Sequence, residues 1–278
     1  MLLTVLSLSL LTVLLVFGKT EAHKSTVIHN DSEHKSSFNI NQLITQSKGR
    51  LTQPQLLYLT ELENSVKRGD VKEQLIKEYY QLAGFWKDTV GQFVPYAYYT
   101  AEAAKLDNSE KNLTFAARLL LENLRREENP ELKAWEAEQA VELFEKALKI
   151  DPDNDDLKIG LGSCYVYGKG MIGDASETMK GIQTLLQVAR KDSNNMKAQL
   201  MLGIGGVISG QFDKAIVRLN KVIAFDNKNL EAVSWLADAY AQTGDKVKAI
   251  QWYEYSKKLV NDPEYSAEVN ERINALKK

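Results

Sequence analysis

The sequence predicts an all-α fold, an elongated solenoid of stacked helical hairpins. Three observations carry that prediction. The chain matches itself when shifted by 34 residues: Leu202-Gly203 falls on Leu236-Ala237, Gly210-Gln211 on Gly244-Asp245, Lys214-Ala215-Ile216 on Lys248-Ala249-Ile250, and Leu219 on Tyr253. A shift of 41 carries the pattern one unit back, placing Leu161-Gly162 on Leu202-Gly203 and Asp151 on Asp192, and the extra seven residues sit within 167–174. Each unit also pairs two apolar stripes at three- and four-residue spacing around a glycine turn. Small residues (Gly162, Gly203 and Ala237 on first helices; Ala140, Gly181, Ala215 and Ala249 on second helices) let two backbones approach. Larger ones (Phe144, Leu185, Leu219, Tyr253) fill the space to the next hairpin. One hairpin cannot bury both of its faces, so the units must stack.

Taken in order, the elements begin with residues 2–17, which carry no charge. As a helix at ~1.5 Å per residue they would reach ~24 Å, a little short of the ~30 Å hydrocarbon core of a bilayer. Residues 1–18 therefore read as a signal-anchor or as a cleaved signal peptide. The basic start and the small-residue cleavage site of the latter are weak here, and no cysteine follows to take a lipid. Residues 19–50 are polar, rich in Lys, Ser, His, Asn and Thr, and lack a period, which predicts a flexible linker. Residues 51–70 predict an N-terminal helix stopped at Gly69-Asp70. Hairpins follow at 71–108, 109–154, 155–195 (with the loop insertion), 196–229 and 230–263. Residues 264–278 form a last helix that is polar on one side, as a capping helix must be.

This spacing and these residue types resemble the tetratricopeptide repeat. Its signature is a Leu-Gly pair, an aromatic, a turn glycine, two alanines bracketing an aromatic, and a closing proline. The match is carried by 196–229 and 230–262, by Leu161-Gly162, Tyr165 and Asp192 in the unit before, and by Ala140, Phe144, Ala147 and Pro152 further upstream. It covers roughly residues 70–278. The layout of the whole chain is also similar to single-anchor repeat proteins common in Bacteroidota. The resemblance implies a right-handed superhelix whose first helices line a concave face, and a protein or peptide as partner. By position, the inward residues would be Ile159, Ser163 and Val166, then Leu200, Ile204, Val207 and Ile208, then Ser234, Asp238 and Gln242. The lysines, arginines and asparagines with which the family holds a terminal carboxylate are missing from these places. Residues 196–208 are apolar nearly all round, so the expected partner is an apolar or amphipathic segment lying in the groove.

Composition narrows function by exclusion. A formal net charge of -2 and a pI near 6.0 remove the basic face that nucleic acid requires. The three histidines, His23, His29 and His34, all precede the helical body. The body therefore lacks the commonest general base, and neither a Ser-His-Asp triad nor a Cys/His zinc site can form there. Cys164 has no second thiol and reads as a small core residue. The glycines of 203–210 imitate a dinucleotide fingerprint, yet they follow no strand and fall on the repeat period. Gly168-Lys-Gly170-Met-Ile-Gly173 lacks the Gly-Lys-Ser/Thr end of a phosphate loop and reads as a flexible inserted turn. Trp86, Trp135, Trp235 and Trp252 fall on helical faces as packing residues. No enzyme activity, cofactor or metal is expected. The expected function is a protein–protein scaffold tethered through residues 2–17 to an inner membrane, with the repeats in the periplasm or released there by cleavage. The alternative is a regulatory or accessory subunit of an envelope enzyme or assembly complex, or a ligand sensor acting through the Gly-rich insert.

Overall fold

The structure is a computed structural model that describes residues 38–69 and 71–278; the apolar segment 1–18 and the linker up to residue 37 lie outside the described residues. Thirteen α-helices follow one another with no strand among the described residues. They are α1 (Ile40–Lys48), α2 (Gln53–Arg68), α3 (Lys72–Gly84), α4 (Phe93–Asp107), α5 (Glu110–Leu124), α6 (Pro130–Ile150), α7 (Asp155–Tyr165), α8 (Ala175–Lys191), α9 (Met196–Ile208), α10 (Phe212–Phe225), α11 (Leu230–Gln242), α12 (Lys246–Val260) and α13 (Pro263–Lys277). The pairs α3/α4, α5/α6, α7/α8, α9/α10 and α11/α12 pack as hairpins, and each second helix packs on the next first helix. Apolar clusters overlap from hairpin to hairpin, so one core runs along the array.

Local chemistry explains where the helices begin. Asn154, Asn195 and Asn229 stand 41 and 34 residues apart, the spacing of the repeat itself. Each caps a first helix by accepting a backbone N–H: Leu157 at 3.2 Å, Ala198 at 3.0 Å and Ala232 at 2.9 Å. Such caps are worth about 1 kcal/mol each. Thr52 and Gln55 form a reciprocal capping box ahead of α2, with Pro54 in its first turn.

Close helix approach is set by glycine. A Cβ added at Gly181 would lie 2.8 Å from the carbonyl oxygen of Gly162, and one at Gly160 would lie 2.3 Å from the ring of Phe144. Phe144 has no exposed surface, so the missing side chain on α7 is the space its ring fills.

Two expectations are corrected. The linker predicted over 19–50 does not reach residue 50, because Ile40–Lys48 is helical. Asn39 caps it through Gln42 at 3.2 Å, Ile44 is buried, Phe38 stacks on Trp135 at 5.4 Å, and Lys48 pairs with Glu63 at 2.7 Å. Nine residues are too few to hold a helix alone, so these tertiary contacts supply its stability. The inserted turn is not a loose loop either. Val166–Gly170 continues α7 as a π-helical turn, with Val166, Tyr167, Gly168 and Gly170 all buried. A second π-helical turn, Phe85–Val90, ends α3 and buries its Phe85 and Trp86, and Gly91 at φ 71° releases the chain into α4.

Candidate partner-binding face

The first helices α5, α7, α9 and α11 share one side of the array. The ten residues expected to face a partner there divide into two groups. Val166 and Ile204 have no exposed surface, and Ile159 and Ser163 are under a tenth exposed. All three apolar members belong to one core cluster with Leu124, Tyr167 and Leu185, against which Leu121, Leu200, Ile208 and Trp235 also pack. These four residues are therefore core and not free lining: the array curls until α5, α7, α9 and α11 cover one another. Ser163 directs its hydroxyl to the carbonyl of Ile159 at 2.7 Å within its own helix. Leu200, Val207, Ile208, Ser234 and Asp238 are half-buried, and Gln242 is exposed. Ser234 and Asp238 are already engaged by side chains of α12 and α13. Ser234 Oγ meets Tyr265 Oη at 3.0 Å, and Asp238 Oδ1 accepts from Tyr253 Oη at 2.5 Å and Arg272 Nη1 at 3.2 Å.

The curl closes on a polar contact between distant hairpins. Arg125, the residue that ends α5, donates from Nη2 to Glu231 Oε2 at 2.5 Å on the first turn of α11. Tyr167 of the inserted turn donates its hydroxyl to the other oxygen, Glu231 Oε1. The Arg125 guanidinium also lies over the Tyr167 ring, 5.5 Å from its centroid. Beside this contact opens a cleft of about 400 Å³, lined by Glu122, Arg125, Arg126, Leu230, Glu231, Ser234 and Trp235. The half-buried indole of Trp235 and the Leu230 side chain give it an apolar floor within a charged rim.

Titration states follow from these surroundings. Burial, then the Glu231 carboxylate, push the Tyr167 hydroxyl above the ordinary tyrosine range, so it stays a donor. Burial pulls the Arg125 guanidinium down, but Glu231, Tyr167 and Glu122 together outweigh it and the net shift is upward. Burial likewise raises Tyr253, with the bond to Asp238 adding to it, so that hydroxyl stays protonated. Burial alone pushes the Cys164 thiol far above its usual value; with no exposed surface, it cannot act as a nucleophile. The exception is Glu136 on α6, buried and pushed up to about 8 chiefly by desolvation; it lines no part of the cleft. No group of three or more His, Cys, Asp or Glu among the described residues is placed to hold a metal. The cleft offers hydrogen bonds, charge and an apolar floor.

Reading the sequence missed Arg125, Tyr167, Glu231 and Trp235. Glu231 lies three residues before Ser234 and Trp235 three before Asp238, so the inward stripe of α11 extended one step further carries the first of them. Tyr167 was hidden by the reading of 167–174 as a loop. Arg125 carries no local signal, because its partner is 106 residues away.

Residues 131–200 and 207–267 match the family model described as tetratricopeptide repeat. Lipopolysaccharide assembly protein B of Escherichia coli K12 is 26% identical over 129 residues, which is 46% of this chain and 32% of that protein. BBSome complex member BBS4 of Bos taurus is 28% identical over 112 residues, 40% of this chain and 20% of that protein. The chain thus spans a third or less of the length of these curated relatives. Among solved structures, a thermophilic tetratricopeptide-repeat protein of Thermus thermophilus superposes with a TM-score of 0.51 at 16% identity, covering 74% of this chain and 98% of its own; at that identity the likeness concerns the fold. With the stacked hairpins, the 34-residue period and the matched residues together, the chain carries tetratricopeptide repeats and folds as a tetratricopeptide-repeat solenoid, the architecture of protein–protein interaction scaffolds.

Proposed function

We propose that the protein is a membrane-tethered scaffold that holds an amphipathic segment of a partner protein in the cleft between the end of α5 and the start of α11. One observation carries the reading: an open cleft of about 400 Å³ on the first-helix face, with Trp235 in its floor and charged side chains around its rim. Tryptophan and arginine are the residues on which interface energy concentrates, and a short amphipathic segment supplies both an apolar side chain for Trp235 and polar groups for Arg125, Arg126 and Glu122. The partner site lies beside the apolar strip of α9 and not on it, since Ile204 is occupied by the chain's own packing. The uncharged residues 2–17 support a tether in an inner membrane, with the repeats in the periplasm, or export followed by release. None of the described helices is long and apolar enough to cross a membrane. Relatives named for lipopolysaccharide assembly and for membership of a complex suit a part in assembly.

Site-specific photo-crosslinking in the full chain tests the cleft. A crosslinking residue at position 126 or 235 should trap one and the same partner, and one at Val217, exposed on α10 at 71%, should not. Equal capture at all three positions, or capture at 217 alone, would overturn the site. Membrane fractionation of the chain with and without residues 1–18 tests the tether: loss of the membrane-bound fraction on truncation is the expected result.

A further inference from the structure

The seven-residue insertion is a departure from the repeat that hairpin stacking does not require. It is nevertheless built into the fold. A Cβ at Gly168 would stand 2.3 Å from the Cβ of Ala137, so the turn is pressed against α6; a Cβ at Gly170 would stand 2.7 Å from the carbonyl oxygen of Tyr165. Gly168 leaves helical geometry at φ -78°, ψ -118°. From that turn Tyr167, 4% exposed, reaches Glu231 across 64 residues of sequence, and Arg125 reaches the same carboxylate across 106. In a solenoid each unit contacts its neighbours only. Here three units, contributing α5, the end of α7 and α11, meet at one carboxylate.

We propose that the insert is a lock: Tyr167 and Arg125 together hold Glu231, which keeps the face of α5, α7, α9 and α11 curled shut, and release of Glu231 lets that face open. The side chains beneath the contact are apolar and come from several first helices: Leu121 and Leu124 from α5, Ile204 from α9 and Trp235 from α11, with Val166 from the inserted turn. Opening would unstack them from one another and bare an apolar strip. Water reaches the ion pair, with the Arg125 and Glu231 side chains 38% and 25% exposed, so it is screened and individually weak. The lock is therefore held by the sum of two modest interactions on one carboxylate, which a competing group can displace. That the cleft beside the lock is a partner site rests on the function proposed above; the lock itself does not.

The test measures the closure directly. Spin labels on cysteines introduced at the exposed positions Glu128 and Lys228 flank the contact, and the buried Cys164 stays unlabelled. In the full chain the unmodified contact should give one narrow distance distribution. Tyr167→Phe keeps the ring under Arg125 and removes only the hydroxyl; Glu231→Gln removes the charge. Each should raise the population at longer distance by about 2–10-fold. The swapped pair Arg125→Glu with Glu231→Arg should restore the narrow distribution that either change alone destroys. Lengthening with an intact helical spectrum and cooperative melt supports the lock. An unchanged distribution in Tyr167→Phe and Glu231→Gln overturns it, and so does lengthening confined to variants that have lost helical signal. Peptide capture by the cleft is read separately, so loss of binding with the distances intact counts against the proposed function and leaves the lock standing.

Discussion

Glu136 should make the stability of this protein fall as pH rises through neutrality. The side chain sits on α6 with no exposed surface. Oε1 accepts from Asn123 Nδ2 of α5 at 2.7 Å, and Oε2 is without a partner among the described residues. Burial raises its pKa from 4.5 to about 8; the Asn123 bond works against that, Glu127 adds to it, and Lys133 lowers it. The folded chain therefore keeps a proton between pH 4.5 and about 8 that the unfolded chain gives up. Its contribution is intact below pH 4.5 and is lost progressively until about pH 8. At about 1.4 kcal/mol per pH unit, that window is worth on the order of 5 kcal/mol, a large share of a typical domain's stability. Glu136→Gln cannot ionise. It keeps an acceptor for Asn123 and leaves a buried amide NH2 with both N–H donors unmatched, at a cost of about 1–3 kcal/mol. The variant should be less stable than the parent at about pH 5 and more stable at about pH 9, with the two curves crossing between. Urea unfolding followed by circular dichroism at unit steps across that range measures the difference directly, and the other titrating groups cancel in it. Parallel pH curves for parent and variant would refute the reasoning, since they would mean that Glu136 is ionised or solvated in the native state.

Gly181→Ala should lower stability by about 1–3 kcal/mol despite better helix propensity, because the new methyl meets the Gly162 carbonyl oxygen at 2.8 Å and must separate α7 from α8. Gly84→Ala is the matched control: helical at φ -59°, with no atom nearer than 4.0 Å, it should gain about 0.5–1 kcal/mol in the same thermal and urea melts. Asn229→Ala removes the acceptor for the Ala232 N–H and should cost about 1 kcal/mol, whereas Asn229→Asp should be nearly neutral by the same measurement. Cys164 should resist a thiol reagent such as dithionitrobenzoate in the native state and react fully in denaturant; fast native labelling would show that α7 opens locally.

The hairpins were legible because each is decided by residues close in sequence. A glycine at 162 and another at 181 sit where two backbones touch, and the asparagines at 154, 195 and 229 mark first-helix starts at the repeat spacing. Helix α1 was not legible. Its apolar residues Ile40, Leu43 and Ile44 make little more than one turn of stripe in a polar stretch, and what holds it is the distant ring of Trp135 and the carboxylate of Glu63. The insertion was legible as an insertion but not as structure, because a π-helical turn over Val166–Gly170 depends on packing against Ala137, outside the segment.

The partner face shows where such reading stops. A 34-residue period states which side of a helix points inward, and by that rule Ile159, Val166 and Ile204 face the concave side, as the resemblance implied. The period does not state how tightly successive units rotate, because that rotation is a sum of small side-chain adjustments at every interface. Here the rotation brings α5 within reach of α11, so inward becomes buried for those three residues, and the surface left accessible lies at the rim where Arg125 and Glu231 meet. A looser array of the same sequence would expose Ile204, and a tighter one would close the cleft beside Trp235. Curvature therefore decides which residues a partner can touch. In this chain the contacts that fix it, Arg125 and Tyr167 on Glu231, come from a helix end, an insertion and the first turn of α11, and of these only the last stands on the repeat spacing.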